Sequence, residues 1–178
     1  MTQIAQGDEG ALRLLAERHL ARMLRLAEKT LGSTLEADDV AQEALLRIWK
    51  NAGRWQGERA RLSTWIYTIV YRLCIDRLRR QPTVPLDQAM EIADSAPSAP
   101  EALTRSHELT RLAAAMDGLQ PRQRAALTLF YYEDCSGEEA AAILDISLRA
   151  FWSLLHRARQ AVQELMNDTN TLAKANPS

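Results

Sequence analysis

Apolar positions recur along this chain at three- and four-residue spacing, and strand-like alternation of period two is sustained nowhere. Leu12, Leu15, Leu20, Met23, Leu24, Ala27 and Leu31 predict a first long helix, ended by Gly32 and Ser33. A second helix is predicted over about Glu36–Asn51. Val40, Ala44, Leu45, Ile48 and Trp49 mark one side of it, and Asp39, Gln42, Glu43 and Lys50 the other. The acidic residues Glu36, Asp38 and Asp39 in its first turn suit the positive end of a helix dipole. A loop over Gly53–Arg61 leads to a third helix, with Ser63 the expected N-cap and Ile66, Ile69, Val70 and Leu73 its buried stripe.

The pattern then breaks. Pro82, Pro85, Pro97 and Pro100 fall in QPTVPLDQAMEIADSAPSAP, where proline forbids a continuous helix and large apolar groups are few. Helical spacing resumes at Leu109, Leu112, Ala113, Met116 and Leu119. It continues through LQPRQRAALTLFYY, with Pro121 at a first-turn position where its missing N–H is no loss. Ser136-Gly-Glu-Glu139 is a capping box opening GEEAAAIL. A short Asp145-Ile146-Ser147 connection follows, and Ser147 caps LRAFWSLLHRARQAVQEL. Two short helices joined by about three residues, the second carrying arginines, form the helix-turn-helix pattern. The expected fold is all-α: two small helical domains, 1–82 and 106–168, joined by a Pro-rich flexible linker, 83–105, with a disordered tail at 169–178.

Charge sharpens this division. The 178 residues are nearly balanced overall at net −1, but residues 1–83 carry 14 basic against 10 acidic groups and residues 84–108 carry 1 against 5. Between Arg59 and Arg80, six arginines face the single Asp76. Cys74 and Cys135 are far apart and lack CxxC spacing, which reads as small buried hydrophobes in a reducing compartment. His19, His107 and His156 are equally scattered, so neither a metal site nor a cofactor is expected. No apolar run approaches the ~18–20 residues of a membrane span. MTQIAQGDEG has neither a basic n-region nor an apolar h-region, so a cytoplasmic location without membrane insertion is expected.

Three constellations carry candidate chemistry. In the C-terminal pair, Arg149, His156, Arg157 and Arg159 supply groove or phosphate donors while Ala150, Phe151, Leu155 and Val162 face the bundle; the alternative is an amphipathic hairpin with solvated arginines. Second, Trp49, Trp55, Trp65, Tyr67 and Tyr71 lie among Arg54, Arg59, Arg61, Arg72, Arg77, Arg79 and Arg80. Aromatic faces stack on unpaired bases while arginines follow phosphates, a combination suited to separated DNA strands; individually, Trp49 and Trp65 also read as core. Third, Asp39, Gln42 and Glu43 share one helix face, which alone reads as solvated. Gly-rich phosphate loops, nucleophile elbows and HExxH are absent, and the adjacent pairs Asp38/Asp39 and Glu138/Glu139 point to different helix faces, so no catalytic residue is expected.

In their order, these segments resemble the extracytoplasmic-function group of bacterial sigma factors. ADDVAQEALLRIWK (37–50) and STWIYTIVYRLCIDRLRR (63–80) resemble that family's region 2, and LQPRQRAALTLFYYEDCSGEEAAAILDISLRAFWSLLHRARQAV (119–162) resembles region 4. The resemblance implies a transcription initiation factor that binds core RNA polymerase. Asp39, Gln42 and Glu43 would dock on the clamp helices of the largest subunit. Arg54, Trp55, Arg61, Trp65, Tyr67, Tyr71, Arg72, Arg77 and Arg80 would recognise and open the −10 element of promoter DNA. Arg149, His156, Arg157 and Arg159 would read the −35 element. An anti-sigma factor is the implied inhibitor.

The chain departs from the family pattern at Arg72, where the family often has Asn, and at Trp152 and Leu154, where it usually has basic residues. Those two imply an apolar patch that packs, in the inactive protein, on an anti-sigma factor or on the chain's own region 2. Two other readings remain beside this one: a helix-turn-helix regulator that binds operator DNA without polymerase, and a helical adaptor that binds protein only.

Overall fold

In the computed structural model the described residues are 1–57, 61–80 and 110–175, with side chains described as far as residue 167. A one-turn helix α1, Thr2–Ala5, precedes α2, Glu9–Leu31, whose N-cap Asp8 accepts a hydrogen bond from the Ala11 N–H at 3.0 Å. Gly32 ends α2 at φ 76°, the left-handed geometry that a residue without Cβ adopts readily. Helix α3 spans Thr34–Asn51, starting two residues before the expected Glu36 because the Ser33 hydroxyl accepts from the Glu36 N–H. A 3-10 turn, Ala52–Arg54, leads toward α4, Leu62–Arg80. Ser63 is not its N-cap. The Arg61 carbonyl already accepts from the Trp65 N–H at 3.2 Å, which places Ser63 inside the first turn.

The second half begins with α5, the helix ending at residue 117, and α6, Pro121–Leu127, with Pro121 in its first turn. A π-helical turn, Thr128–Tyr132, follows. Then come α7, Gly137–Leu144, and α8, Leu148–Ala175. The capping box is formed in both directions: the Ser136 hydroxyl accepts from the Glu139 N–H at 3.1 Å, and the Glu139 carboxylate accepts from the Ser136 N–H at 2.9 Å. Asp145 makes the turn at φ 55° and ψ 52°, a left-handed conformation that Asp tolerates better than most residues. The Ser147 hydroxyl accepts from the Ala150 N–H at 3.2 Å, starting α8. No strand occurs among the described residues. The expected linker, 83–105, lies outside the described residues, and α8 continues to Ala175, past the boundary drawn at 168.

Helices α2, α3 and α4 pack on one another, and α6 and α7 each pack on α8. The two groups also meet, α2 against α6 and α4 against α7. One continuous apolar cluster results, running from Met23, Val40, Ile48 and Val70 to Leu129, Ile143, Phe151 and Leu155. With three helices packed on α2, burial spreads round it to Leu26, a position outside the expected stripe. Of the residues expected to face the bundle from α8, Phe151 and Leu155 are buried and Val162 is half-buried. Ala150 is exposed, so that assignment is corrected: it sits in the first turn of α8, about 100° round the helix from the buried Phe151.

Removing the Ser136 hydroxyl leaves the Glu139 amide without its cap. Ser136→Ala is therefore expected to destabilise the chain by about 1 kcal/mol in urea unfolding, and a loss below a few tenths would show that the capping box is idle.

Candidate functional site

Helices α7 and α8 form a helix-turn-helix, and burial decides which α8 side chains are free. Phe151, Leu155 and Ala158 are buried, while Arg149, His156, Arg157 and Arg159 are all exposed. At about 100° per residue, Arg149 and His156 point nearly the same way, while Arg157 and Arg159 flank them on opposite edges. Arg159 is engaged: its guanidinium lies 5.3 Å above the Tyr131 ring, a cation–π contact. Trp152 packs edge-on against Phe130 and Phe151, with ring centroids 5.5 and 5.3 Å away. A Cβ at Gly137 would come within 2.6 Å of its ring, so the glycine in the capping box makes room for this tryptophan. Trp152 thus belongs to its own domain. Leu154 is half-buried and lines a cavity shared with Tyr71 of α4.

The aromatic and arginine cluster of α4 is not a continuous open surface. Arg54, Arg61, Arg72 and Arg80 are exposed and Trp65 is half-buried, but Tyr67 and Tyr71 are 0% and 3% exposed. Trp55 is half-buried and folded back over Gly57, where an added Cβ would meet its ring at 2.7 Å. Arg77 reaches across to α3 and pairs with Asp39 at 2.8 Å.

Tyr67 meets the second half of the chain through its hydroxyl. Its hydroxyl donates to the Glu133 carboxylate at 2.8 Å, and Arg25 and Arg22 of α2 reach the same carboxylate at 3.1 and 3.8 Å. The Glu133 side chain is 0% exposed. Burial pushes its carboxyl above the usual carboxylate range, while Tyr67, Arg25 and Arg22 pull it back. Burial and Glu133 together push the Tyr67 hydroxyl up, so it stays a donor.

Two further clamps flank this one. Arg61 lies 3.4 Å from the Glu139 carboxylate, to which the Thr64 hydroxyl also donates at 3.4 Å. Arg124, 8% exposed, donates to the Leu119, Asp117 and Thr30 carbonyls at 2.8, 2.9 and 3.1 Å. The last of these belongs to the final turn of α2, where a cation meets the negative end of the helix dipole.

On α3, Asp39, Gln42 and Glu43 are all exposed. Glu43 pairs with Arg47 at 2.7 Å and Asp39 with Arg77, both at the surface where such pairs contribute little. Beside them opens a largely apolar groove of about 630 Å³ lined by Leu12, Ala16, Leu45, Leu46 and Trp49 together with the polar Glu9, Arg13 and Gln42. Leu46 is 59% exposed. Sequence reasoning placed Leu45 and Trp49 in the core, and the structure leaves both half-buried on this groove.

Among the described residues, no group of three His, Cys, Asp or Glu converges to hold a metal, and no helix is long and apolar enough to cross a membrane. Burial pushes the Cys74 and Cys135 thiols up to about 12, which disfavours the reactive thiolate.

The sequence matches known families. Residues 15–83 match the family described as Sigma-70 region 2, and residues 109–162 match Sigma-70, region 4. The chain is 32% identical over 168 residues to the ECF RNA polymerase sigma factor SigM of Mycobacterium tuberculosis, a similarity covering 93% of this chain and 82% of SigM. The chain belongs to the ECF RNA polymerase sigma factors.

The ECF RNA polymerase sigma factor SigE of Mycolicibacterium smegmatis is 30% identical over 169 residues, covering 91% of this chain and 65% of SigE. The fold is similar to that of the sigma factor RpoE from Bartonella quintana, solved in complex with the anti-sigma factor NepR. The TM-score is 0.66 at 22% identity, over 86% of this chain and 96% of that one. With the N-terminal half itself matching region 2, the reading as a stand-alone operator-binding regulator is not favoured.

Sequence reasoning did not single out Arg22, Arg25, Arg124 and Glu133 as contacts between the two halves, and read Glu139 only as part of the capping box. A signal was present for two of them: Glu133 follows the apolar and aromatic run LTLFYY, and Arg124 sits in the stripe of α6.

The buried and exposed partners differ in weight. Tyr67→Phe removes a hydrogen bond to a buried carboxylate and is expected to destabilise the sigma factor by about 1.5–3 kcal/mol. Arg77→Ala breaks a surface pair worth less than about 1 kcal/mol. Urea unfolding of both variants checks this ordering, and equal losses would contradict it.

Proposed function

We propose that this sigma factor binds core RNA polymerase and carries it to promoters, using its first domain, 1–82, for the polymerase and the −10 element and its second, 106–168, for the −35 element. The observation that carries this reading is the exposed face of α8, where Arg149, His156 and Arg157 reach solvent on the second helix of a helix-turn-helix whose other face is core. A helix so placed enters the major groove of intact duplex. Helix α4 and the loop before it take the −10 element as separated strands. Aromatic side chains there stack on bases and Arg54, Arg61, Arg72 and Arg80 follow the phosphates.

Asp39, Gln42 and Glu43 dock on polymerase, with the neighbouring apolar groove receiving a side chain of the partner. Their present ion pairs, at the surface, are readily exchanged for basic groups across an interface. No catalytic residue or cofactor takes part: strand opening is driven by capture of bases as they leave the stack. The protein works in the cytoplasm, where polymerase is, and an anti-sigma factor restrains it, as the complex of RpoE with NepR exemplifies for that protein.

Reconstitution with core polymerase on a promoter library tests the reading. The expected result is promoter-specific run-off transcription, and a purified chain that ignores polymerase would end it. Within the holoenzyme, Arg157→Ala is expected to flatten the slope of log affinity against log salt by about 0.9, one phosphate's share on duplex DNA. An unchanged slope would remove Arg157 from the DNA contacts.

A further inference from the structure

A face of α4 outside its buried stripe carries basic groups. Arg72, Asp76 and Arg79 recur at four- and three-residue spacing, so they share one side of the helix. That side lines a cavity of about 300 Å³, to which α3 contributes Arg47, α6 contributes Arg122 and the turn after α7 contributes Asp145. Four guanidinium groups from three helices therefore meet two carboxylates. The carboxylates do not neutralise them: Asp76 and Asp145 form no ion pair among the described residues, and neither do Arg72, Arg79 and Arg122. Arg47 pairs at 2.7 Å with Glu43 of its own helix, at the surface.

Tyr71 lines the same cavity. It is 3% exposed, and its buried hydroxyl meets no hydrogen-bond partner of proper geometry. Burial pushes that hydroxyl's pKa up, and Arg122 and Arg79 pull it back, so two of the four guanidinium groups act on this one phenol. A buried donor left unpaired is costly. What it lacks is an acceptor, and the arginines round it call for an acceptor that is negatively charged. Tyr71, Arg122 and Leu144 also line an adjoining cavity of about 300 Å³, where Ile146 and Leu154 add apolar wall and Gln120 and Gln123 add amides.

We propose that the cavity between Arg47, Arg72, Arg79 and Arg122 is a binding site for a small molecule with linked phosphates, the Tyr71 hydroxyl donating to one phosphate oxygen. A guanidinium fork matches phosphate oxygens two at a time. A single phosphate engages one or two such forks, whereas two or three linked phosphates spread enough charge and enough oxygens for all four. Inorganic polyphosphate and a nucleoside triphosphate share this chemistry. The adjoining cavity, with its apolar walls and amides, has the character of a nucleoside subsite and favours the nucleotide. The proposal stands apart from the promoter reading: Arg47, Arg79 and Arg122 have no part in it, and only Arg72 of the four follows DNA phosphates there.

The test titrates the full chain, free of DNA and polymerase, with orthophosphate, inorganic tripolyphosphate and ATP in separate calorimetric experiments. Tripolyphosphate and ATP are expected to bind saturably, and orthophosphate about tenfold more weakly or worse. Arg122→Ala is expected to weaken tripolyphosphate binding by about tenfold, the share of one charge-assisted contact. Arg18→Ala removes an exposed arginine of α2 that lines neither cavity, and it is expected to leave the affinity unchanged. Tyr71→Phe deletes a hydroxyl that has no partner in the unliganded chain. It is therefore expected to weaken tripolyphosphate binding without lowering the thermal unfolding midpoint of the unliganded protein, which a purely structural hydroxyl would not do.

Absence of saturable binding by both tripolyphosphate and ATP overturns the site. So does an Arg18→Ala loss equal to that of Arg122→Ala, because attraction to diffuse positive charge then accounts for the binding. Unchanged affinity in Tyr71→Phe overturns the role given to the hydroxyl. Tighter binding of ATP than of tripolyphosphate supports the nucleoside subsite, and equal binding overturns that subsite while supporting inorganic polyphosphate as the ligand.

Discussion

A carboxylate removed from water governs how the two halves of this molecule relate. Glu133 sits in the seam between them, and an ion of its kind left without partners in a protein interior costs several kcal/mol. Its partners come entirely from the first domain: two guanidinium groups on α2, one turn apart, and a phenol on α4. The arrangement therefore works in one register only. Slide the second domain by a few ångströms and the charge is stranded, whereas an apolar seam would tolerate the shift. The same groups that stabilise the docked position also specify it.

Around that point the seam combines two kinds of contact. Apolar side chains continue across it, so the cores of the two domains form one cluster. Polar clamps at Arg124–Thr30 and Arg61–Glu139 then fix its edges. Arg124 acts in both places. It ties the Asp117 and Leu119 carbonyls of its own domain and reaches the last turn of α2, so the connection before α6 is shaped by the same side chain that anchors the neighbouring domain. Such a seam combines a shared apolar core with a few directional contacts at its edges.

The chemistry of a sigma factor bears on this seam. A surface that captures flipped bases must carry exposed rings, and a surface that follows phosphates must carry unpaired guanidinium groups. Both are liabilities for a free protein: the first invites association and the second binds any polyanion. In this fold the rings of Tyr67 and Tyr71 are buried, whereas Arg54, Arg61, Arg72 and Arg80 stay exposed. The acidic face of α3 and the groove beside Leu46 also remain open.

Much of this was legible in the chain itself, because it is decided locally. Helical spacing, the αL residue after α2, the Ser136–Glu139 capping box and the Asp145 turn are all properties of a few neighbouring residues, and the helix-turn-helix followed from them. The charge pattern separated a basic block from an acidic middle for the same reason. What depends on partners distant in sequence was not legible. Ser63 resembles an N-cap until the Arg61 carbonyl is found to start the helix. Tyr67 and Tyr71 read as exposed base contacts because nothing in YTIVY announces that Glu133, 66 residues beyond Tyr67, will meet the first of them. Sequence determined which side chains carry the chemistry; only the packing of one domain on the other decided which are open to a ligand, since burial belongs to pairs of surfaces and a single strip of sequence holds only one of each pair.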